Sequence, residues 1–315
     1  MRVLVTEFMD EAAVASLAAR RADFTVDYRP ALVDDRAALL AQVADAAALI
    51  VRNRTQVDAA LLAEAPALKV VGRLGVGLDN IDTQACERAG VAVYPATGAN
   101  ALAVAEYVIF STMLLLRGLL AATPAVAAGA WPRGPLSSGR EASGKTLGLV
   151  GFGGIGRLVA QRARALGMRV IATDPALPAD AAAWQEHGVA RVELDALVGE
   201  SDAISLHVPL VESTRGLFGA DRIARMKRGA VLINTSRGGV VDEAALAAAL
   251  REARIGGAAL DVFEREPLPA DSVLADVPNL LLTPHVAGVT LESNERVSAM
   301  IARLVGDHLD DGAKT

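Results

Sequence analysis

The chain has 315 residues, of which 52% are hydrophobic and only 3% aromatic, and its formal net charge is −6. That length and composition allow a large core built from Ala, Val and Leu and divided between two domains. The negative charge argues against nonspecific nucleic-acid binding, which requires a basic surface. A single cysteine, Cys86, cannot form an internal disulfide and fits a reducing, cytoplasmic location. No apolar run is long enough to span a membrane.

Up to about Tyr94, short β-type runs alternate with amphipathic helical runs, a pattern typical of a parallel α/β sheet. No glycine-rich phosphate loop follows the first strand, so we interpret this part as a substrate-binding domain. The predicted strands cover 3–5, 25–28, 48–51, 70–73 and 91–94, and the predicted helices cover 10–20, 35–43, 58–64 and 82–89.

Two arginines, Arg52 and Arg54, directly follow the third predicted strand. Open α/β sheets bind ligands at the carboxyl edge of their strands, where these arginines would lie. A guanidinium donates two parallel hydrogen bonds to a carboxylate, phosphate or sulfonate, so the pair is a candidate anion site. The alternative is that both are solvated loop arginines.

A second turn, from Gly72 to Asp82, is rich in glycine. Gly75 and Gly77 leave backbone N–H groups open to an anion before a helix begins. A plain strand-to-helix turn that binds nothing is the alternative for this segment.

The most hydrophobic long stretch is 103–120, but Glu106 and Arg117 interrupt it, so it predicts a buried or interface helix. Residues 121–143 are rich in Ala, Gly, Pro and Ser and predict a surface connector in which Trp131 serves packing. A last helix is predicted over 290–308, packed on the first domain.

Between these regions, an apolar strand pattern ends in closely spaced glycines and a helical pattern follows. Gly151, Gly153 and Gly156 fit the dinucleotide fingerprint, in which the glycines provide a tight turn, close approach of a pyrophosphate and helix packing. The next strand ends at Asp174, which can accept from both ribose hydroxyls of an adenosine and would repel a 2′-phosphate, so NAD is favoured over NADP. For the fingerprint alone, a glycine turn in an unrelated α/β unit is the alternative.

Four further apolar strand patterns end in polar residues, over 203–209, 230–238, 257–262 and 280–285. The carboxyl ends of parallel strands meet at one edge of a sheet, which is the edge that binds ligands. The pattern therefore predicts that four polar side chains gather there: His207, Arg237, Asp261 and His285.

Five ordered segments are distinctive as a set: 151–156, 207–210, 234–239, 260–269 and 283–288. They resemble the D-isomer-specific 2-hydroxyacid dehydrogenase family, most closely the catalytic part of phosphoglycerate dehydrogenases and hydroxypyruvate reductases. The resemblance covers nearly the whole chain. It implies an α/β protein with two doubly wound parallel-sheet domains, in which a Rossmann NAD-binding domain (99–286) is inserted into a flavodoxin-like substrate domain (1–98 and 287–315).

The resemblance places the catalytic roles on Arg237, Glu266 and His285. His285 would be the acid/base, since an imidazole exchanges protons near neutral pH, and Glu266 would hold its tautomer and stabilise the imidazolium. Arg237 would orient the substrate carboxylate and polarise the carbonyl. Glu264 competes with Glu266, but only Glu266 matches the Glu-Pro pair of the family. The alternatives are a surface arginine, a helix-start glutamate and a strand-end histidine.

The resemblance also implies two sets of binding residues and no metal site; the family often has arginine at the position of Gly154. The cofactor set comprises Gly151, Gly153, Gly154, Ile155, Gly156, Asp174, His207, Val208, Pro209, Thr214, Thr235, Ser236, Arg237, Asp261, His285 and Gly288. The substrate set comprises Arg52, Arg54, Leu74, Gly75, Val76, Gly77, Arg237 and His285.

These features predict an enzyme that transfers a hydride between NAD(H) and a small D-configured 2-hydroxy acid or its 2-keto acid. The arginine pair suggests a second anion on the substrate and leaves 3-phosphoglycerate, (S)-3-sulfolactate and the glycerate/hydroxypyruvate pair open. A noncatalytic, NAD-sensing corepressor-like protein is the alternative from another class. Formate dehydrogenase is a rival enzyme, but it has glutamine in place of Glu266. The family further implies a homodimer.

Overall fold

The computed structural model describes residues 1–311, and the chain divides into two compact units. Unit 1 consists of Met1–Asn100 and the segment that begins at Val289, and unit 2 is Ala101–Gly288. Unit 2 is therefore one continuous stretch that interrupts unit 1 in the sequence. Residues 312–315, at the end of the predicted 287–315 segment, lie outside the described residues.

Unit 1 opens with five strands and four α-helices in strict alternation, with a short 3₁₀ helix at Pro30–Asp34. The strands are all parallel and lie in the order β2-β1-β3-β4-β5, which is the flavodoxin-like order. The elements are β1 (Arg2–Val5), α1 (Glu11–Ala19), β2 (Thr25–Tyr28), α2 (Arg36–Gln42), β3 (Ala46–Val51), α3 (Ala59–Ala63), β4 (Val70–Arg73), α4 (Thr83–Arg88) and β5 (Ala92–Pro95).

Each of these four helices begins after an aspartate that caps it: Asp10, Asp35, Asp58 and Asp82. The side chain of each accepts a hydrogen bond from the backbone N–H three residues later. Such a cap satisfies a free donor and contributes about 1 kcal/mol. The predicted helices began at these same four aspartates.

Unit 2 contains seven parallel strands in the order β12-β11-β10-β9-β6-β7-β8, a doubly wound Rossmann arrangement in which the strand order reverses beside β6. Its elements are α5 (Ala101–Arg117), α6 (Ala122–Ala127), α7 (Arg133–Leu136), β6 (Thr146–Val150), α8 (Gly154–Ala165), β7 (Arg169–Thr173), α9 (Ala182–Glu186), β8 (Ala190–Arg191), α10 (Leu194–Glu200), β9 (Ala203–Leu206), α11 (Ala220–Arg225), β10 (Val231–Asn234), α12 (Glu243–Arg251), β11 (Gly257–Leu260) and β12 (Leu280–Leu282).

The central strands of both sheets are buried on both faces, which is why they read as continuous apolar runs. After unit 2 the chain returns to unit 1 as α13 (Leu291–Asp311), which packs on α1 and β4. Gly72 in β4 permits this contact, because a Cβ there would lie 2.6 Å from Ile301 and 2.7 Å from Val305. The sheet and α13 therefore share one core.

The predicted connector, 121–143, contains α6 and α7, neither of which has a buried residue. Trp131 is 79% exposed, so its predicted packing role is wrong within the single chain. Within residues 1–311, no helix is both long and apolar enough to cross a membrane. The same residues contain no group of three or more His, Cys, Asp and Glu side chains that could hold a metal ion.

Candidate active site

The glycine turn between β6 and α8 has two crowded glycines and two open ones. Gly151 has φ of +98°, and a Cβ there would lie 2.4 Å from the carbonyl oxygen of His207. A Cβ on Gly156 would lie 2.5 Å from the carbonyl oxygen of Gly151, so only glycine lets the helix start this close to the strand. At Gly153 and Gly154 a Cβ would meet nothing within 4 Å, so the start of α8 is open to a phosphate.

Asp174 follows β7 and lies beside this turn. One of its carboxylate oxygens accepts from the N–H of Phe152 at 2.8 Å, and the other accepts from the N–H of Ala176 at 2.9 Å. The two bonds hold the carboxylate at the carboxyl edge of the sheet, where a ribose could donate to its remaining lone pairs.

The ends of β9 and β10 supply further candidate cofactor contacts. His207 follows β9, and burial lowers the pKa of its imidazole to about 4, so the ring is neutral at working pH. Thr214 Oγ1 donates to the carbonyl oxygen of Pro209, which ties the loop that contains Val208 back on itself. After β10, Thr235 Oγ1 is buried and has no hydrogen-bond partner within residues 1–311.

An unsatisfied buried hydroxyl is uncommon, and it fits a site where a bound molecule completes the hydrogen bond. Together with the open start of α8 and the fixed carboxylate of Asp174, Thr235 makes this edge of unit 2 suitable for a dinucleotide. Ile155 is half-buried at the first turn of α8, and Gly288 ends unit 2 three residues after His285.

His285 and Glu266 form a direct pair in unit 2. Nδ1 of His285 lies 2.8 Å from Oε2 of Glu266, and the other carboxylate oxygen, Oε1, accepts from the N–H of Phe263 at 3.1 Å. The histidine side chain is 44% exposed, so the ring remains accessible to a ligand. The carboxylate bonded to His285 is that of Glu266 and not that of Glu264, whose N–H donates to Glu243.

The turn that carries His285 is held by a buried carboxylate. Asp261, which is 1% exposed, accepts from the N–H groups of Val286 and Ala287 at 2.8 Å each and from the Thr283 hydroxyl at 2.6 Å. His285 itself has φ of +55°, a left-handed conformation that is strained for any residue except glycine. Such strained residues are frequent at functional sites. Asp261 thus holds the backbone that presents the imidazole.

Arg237 follows β10 in a turn that is organised by Asn234. The Asn234 side chain donates to the Arg237 carbonyl at 2.9 Å and accepts from the N–H and hydroxyl of Ser236 at 3.0 and 2.7 Å. At the adjacent Gly238, a Cβ would lie 1.8 Å from the carbonyl oxygen of Phe263. The Arg237 turn therefore lies against the segment whose N–H binds Glu266.

In unit 1 the two candidate arginines have different environments. Arg52 is half-buried, and its Nη2 donates to Asn294 Oδ1 at 3.0 Å. Its guanidinium lies 5.8 Å from the centre of the Phe8 ring. Arg54 instead forms an ion pair with Asp34, and both of those side chains are mostly exposed.

Burial lowers the pKa of the Arg52 guanidinium, and the negative charge of Glu7 opposes that shift. No carboxylate within residues 1–311 forms an ion pair with Arg52. A half-buried cation without a carboxylate partner is costly unless a ligand provides the counter-charge. Arg52 is therefore the better anion-binding candidate of the two.

The 74–77 segment has fewer open donors than the sequence predicted. The N–H of Leu74 donates to Val51 at 2.8 Å, and the N–H of Gly75 donates to the carbonyl oxygen of Arg73 at 2.7 Å. In the described part of the chain, the N–H groups of Val76 and Gly77 have no protein acceptor. An anion at this turn would therefore meet the second half of the predicted segment.

Four residues that bond to the turns carrying Arg52 and His285 were not selected from the sequence: Glu7, Asn80, Tyr107 and Thr283. The Tyr107 hydroxyl lies 2.6 Å from Thr283 Oγ1, which in turn donates to Asp261. Glu7 and Asn80 hold the backbone around Arg52. Glu7 and Thr283 both follow the end of a strand, the same signal that located His207 and Asp261.

Comparisons with known proteins identify the family of the chain. Residues 109–287 match the family described as "D-isomer specific 2-hydroxyacid dehydrogenase, NAD binding domain". The chain is 59% identical over 297 residues to an (S)-sulfolactate dehydrogenase of Chromohalobacter salexigens, covering 94% of each chain.

The chain is also 38% identical to a D-3-phosphoglycerate dehydrogenase of Archaeoglobus fulgidus, covering 96% of this chain but only 56% of that relative. Among solved structures, a glyoxylate reductase from Paecilomyes thermophila superposes with a TM-score of 0.85 at 31% identity, covering 99% of this chain and 96% of the other. The chain therefore belongs to the D-isomer-specific 2-hydroxyacid dehydrogenase family and is an NAD-dependent oxidoreductase of 2-hydroxy acids.

Proposed function

We propose that this enzyme interconverts (S)-3-sulfolactate and 3-sulfopyruvate. The observation that carries the proposal is Arg52, a half-buried guanidinium without a carboxylate partner in residues 1–311, which suits a substrate with a second anion. The name of the 59% identical relative favours a sulfonate as that anion. 3-Phosphoglycerate and glycerate have related layouts and are the competing substrates.

The proton chemistry follows from the His285–Glu266 pair. An ionised carboxylate can only accept, so the neutral imidazole carries its proton on Nδ1 and leaves a lone pair on Nε2. During oxidation, Nε2 removes the proton of the substrate hydroxyl, and Glu266 stabilises the imidazolium that forms. During reduction, the Nε2–H returns a proton to the ketone oxygen. Bound NAD supplies the hydride acceptor or donor for C2 of the substrate.

The substrate carboxylate needs its own donors. We assign that role to Arg237, whose planar guanidinium can donate two parallel hydrogen bonds to a carboxylate. A guanidinium beside the carbonyl also stabilises the negative charge that develops on oxygen as the hydride is transferred. Arg52 binds the sulfonate, while Arg54 is a weaker candidate because Asp34 already pairs with it.

The decisive measurement is a comparison of kcat/KM, followed at the NADH absorbance band, for (S)-3-sulfolactate, 3-phosphoglycerate, D-glycerate and D-lactate. We expect the dianionic substrates to exceed the monoanionic ones by about tenfold or more, because each charge-assisted hydrogen bond is worth that much. Equal turnover of D-lactate and sulfolactate would exclude an anion site for the substrate tail. NADH binding without turnover of any 2-keto acid would support the corepressor-like alternative.

We further propose that the enzyme is a cytoplasmic homodimer. In support, α5 and the segment that follows it expose large apolar side chains: Phe110 (59%), Met113 (42%) and Trp131 (79%). Exposed apolar groups of this size are typical of protein interfaces. Light scattering should give twice the monomer mass, and a monomeric mass at micromolar concentration would reject the dimer.

A further inference from the structure

The turn that carries Arg52 is fixed by a buried acid from a neighbouring strand. Glu7, at the end of β1, is 5% exposed. Its Oε1 accepts from the N–H of Arg52 at 2.8 Å and from the N–H of Thr55 at 3.0 Å. The N–H of Arg54 lies between the two carboxylate oxygens, at 3.3 and 3.2 Å. Three backbone donors of one turn thus bind a single carboxylate.

The opposite side of the turn is held by an amide. Asn80, which is 6% exposed, donates to the carbonyl oxygen of Thr55 at 2.6 Å and to that of Arg52 at 3.4 Å. The hydroxyls of Thr6 and Thr55 also lie 3.0 Å apart. The backbone of 52–55 therefore has donors and acceptors satisfied by side chains from two other segments, which makes it a rigid support.

This arrangement leaves the side chain of Arg52 as the group that meets a ligand. Because Glu7 accepts from three N–H groups of the turn, those three donors are not available to an anion. Asn294 holds one guanidinium nitrogen, and the other N–H groups of Arg52 have no carboxylate to bind within residues 1–311. A cation held in place before binding loses less conformational entropy when the anion arrives.

We propose that Glu7 is a positioning residue that determines the preference of this enzyme for substrates with an anionic tail, by fixing the turn that presents Arg52. The proposal rests on the proposed function, in which Arg52 binds the sulfonate. Both the charge and the shape of the side chain at position 7 determine whether it can bind the N–H groups of the 52–55 turn. A glutamine there would retain one acceptor, but its NH₂ group would face the N–H of Arg54, and two donors cannot satisfy each other.

The test is the ratio of kcat/KM for (S)-3-sulfolactate to kcat/KM for D-glycerate, measured in the wild type, Glu7→Gln and Arg52→Met. We expect Glu7→Gln to reduce this ratio about tenfold, mainly through a higher KM for sulfolactate, because the guanidinium no longer starts in its binding position. A general structural defect would instead change both substrates alike and lower kcat.

Asp58→Asn is the matched control, since Asp58 is an acid that caps α3 and its side chain bonds to Leu61 and Arg36 rather than to 52–55. We expect it to lower the melting temperature without changing the substrate ratio. If Arg52→Met reduces the ratio while folded Glu7→Gln does not, Glu7 has no positioning role. If Arg52→Met itself leaves the ratio intact, the proposed function fails instead.

If Glu7→Gln does not fold, Glu7→Asp provides a second test of the positioning role. The shorter side chain keeps the charge but retracts from the turn, so we expect an intermediate loss of the ratio. An unchanged ratio in folded Glu7→Asp would overturn the proposal.

Discussion

Two turns, one in each unit, have the same construction and present different side chains. In unit 1, the carboxylate of Glu7 accepts from backbone N–H groups of the 52–55 turn. In unit 2, the carboxylate of Asp261 accepts from backbone N–H groups of the 283–287 turn. Both acids follow a strand, and both are almost completely buried. A buried carboxylate is tolerated in each case because charge-assisted bonds to amide groups replace its hydration.

The turns differ in what they present. Arg52 is permanently charged and has no proton to exchange at physiological pH, so its turn can contribute only to binding. His285 is a titratable ring whose Nδ1 is paired with Glu266, so its turn can contribute to proton transfer. Under the proposed function, the same backbone arrangement would serve substrate selection in unit 1 and proton transfer in unit 2. Variants of the first turn should change KM and selectivity, and variants of the second should change kcat.

The largest expected effect belongs to the second turn. His285→Gln keeps a hydrogen-bonding partner for Glu266 but cannot exchange a proton near neutral pH, so kcat should fall by about 10²–10⁴-fold. NADH affinity, measured by fluorescence titration, monitors the integrity of the cofactor site in the same variant. A kcat within tenfold of wild type would show that this turn does not perform the proton transfer.

The next largest effect is on stability and comes from His207, which belongs to neither turn. Because burial lowers the pKa of His207 to about 4, the unfolded chain binds a proton first as the pH falls below the usual value of 6.5. The free energy of unfolding should therefore decrease between pH 6.5 and about 4, by at most about 3 kcal/mol.

Urea denaturation at a series of pH values checks this expectation. His207→Asn should flatten the dependence between pH 6.5 and 5, while Glu7→Gln and His285→Gln should retain it. An equal slope in His207→Asn and wild type would assign the acid sensitivity to other groups.

Removal of the cation from the first turn should have a smaller and more selective effect. Arg52→Met keeps most of the side-chain volume but loses the charge, so kcat/KM for (S)-3-sulfolactate should fall by about 10–100-fold, chiefly through KM. Arg54→Met provides the comparison and should lose less, because Asp34 already neutralises that guanidinium. Equal losses in the two variants would contradict the distinction drawn between the arginines.

The smallest expected effect concerns Tyr107, which supports the second turn from outside. Burial raises the pKa of the Tyr107 phenol, so the hydroxyl stays protonated and donates to Thr283, which donates to Asp261. Tyr107→Phe removes this outer donor and should lower kcat about threefold to fivefold, since one neutral hydrogen bond is worth about 1 kcal/mol.

Tyr94→Phe is the matched control, because Tyr94 also bonds to a side chain, His308, but in unit 1. It should leave kcat within experimental error. A similar decrease of kcat in both tyrosine variants would mean that the effect does not pass through Asp261.

Many residues of the candidate site could be selected from the sequence, because each follows the end of a predicted strand. Strand ends in α/β folds gather polar residues at one edge, so Asp174, Asp261 and His285 could be selected without coordinates. The pairing of His285 with Glu266 came from the family resemblance, and the 2.8 Å contact agrees with it. The difference between Arg52 and Arg54 could not be predicted, since the two residues are neighbours in an equivalent sequence context.

The sequence by itself determined the alternation of strands and helices, the aspartates at which the first four helices begin and the glycine turn, because each depends on periodicity or on residues a few positions apart. Only the tertiary structure decided which backbone donors are occupied and which remain open. Glu7 lies 45 residues from Arg52 in the chain, and Asp261 lies 25 residues from Val286. Both contacts form where parallel strands place their ends side by side. The sequence indicates which strand ends gather, but not which backbone donors each carboxylate binds.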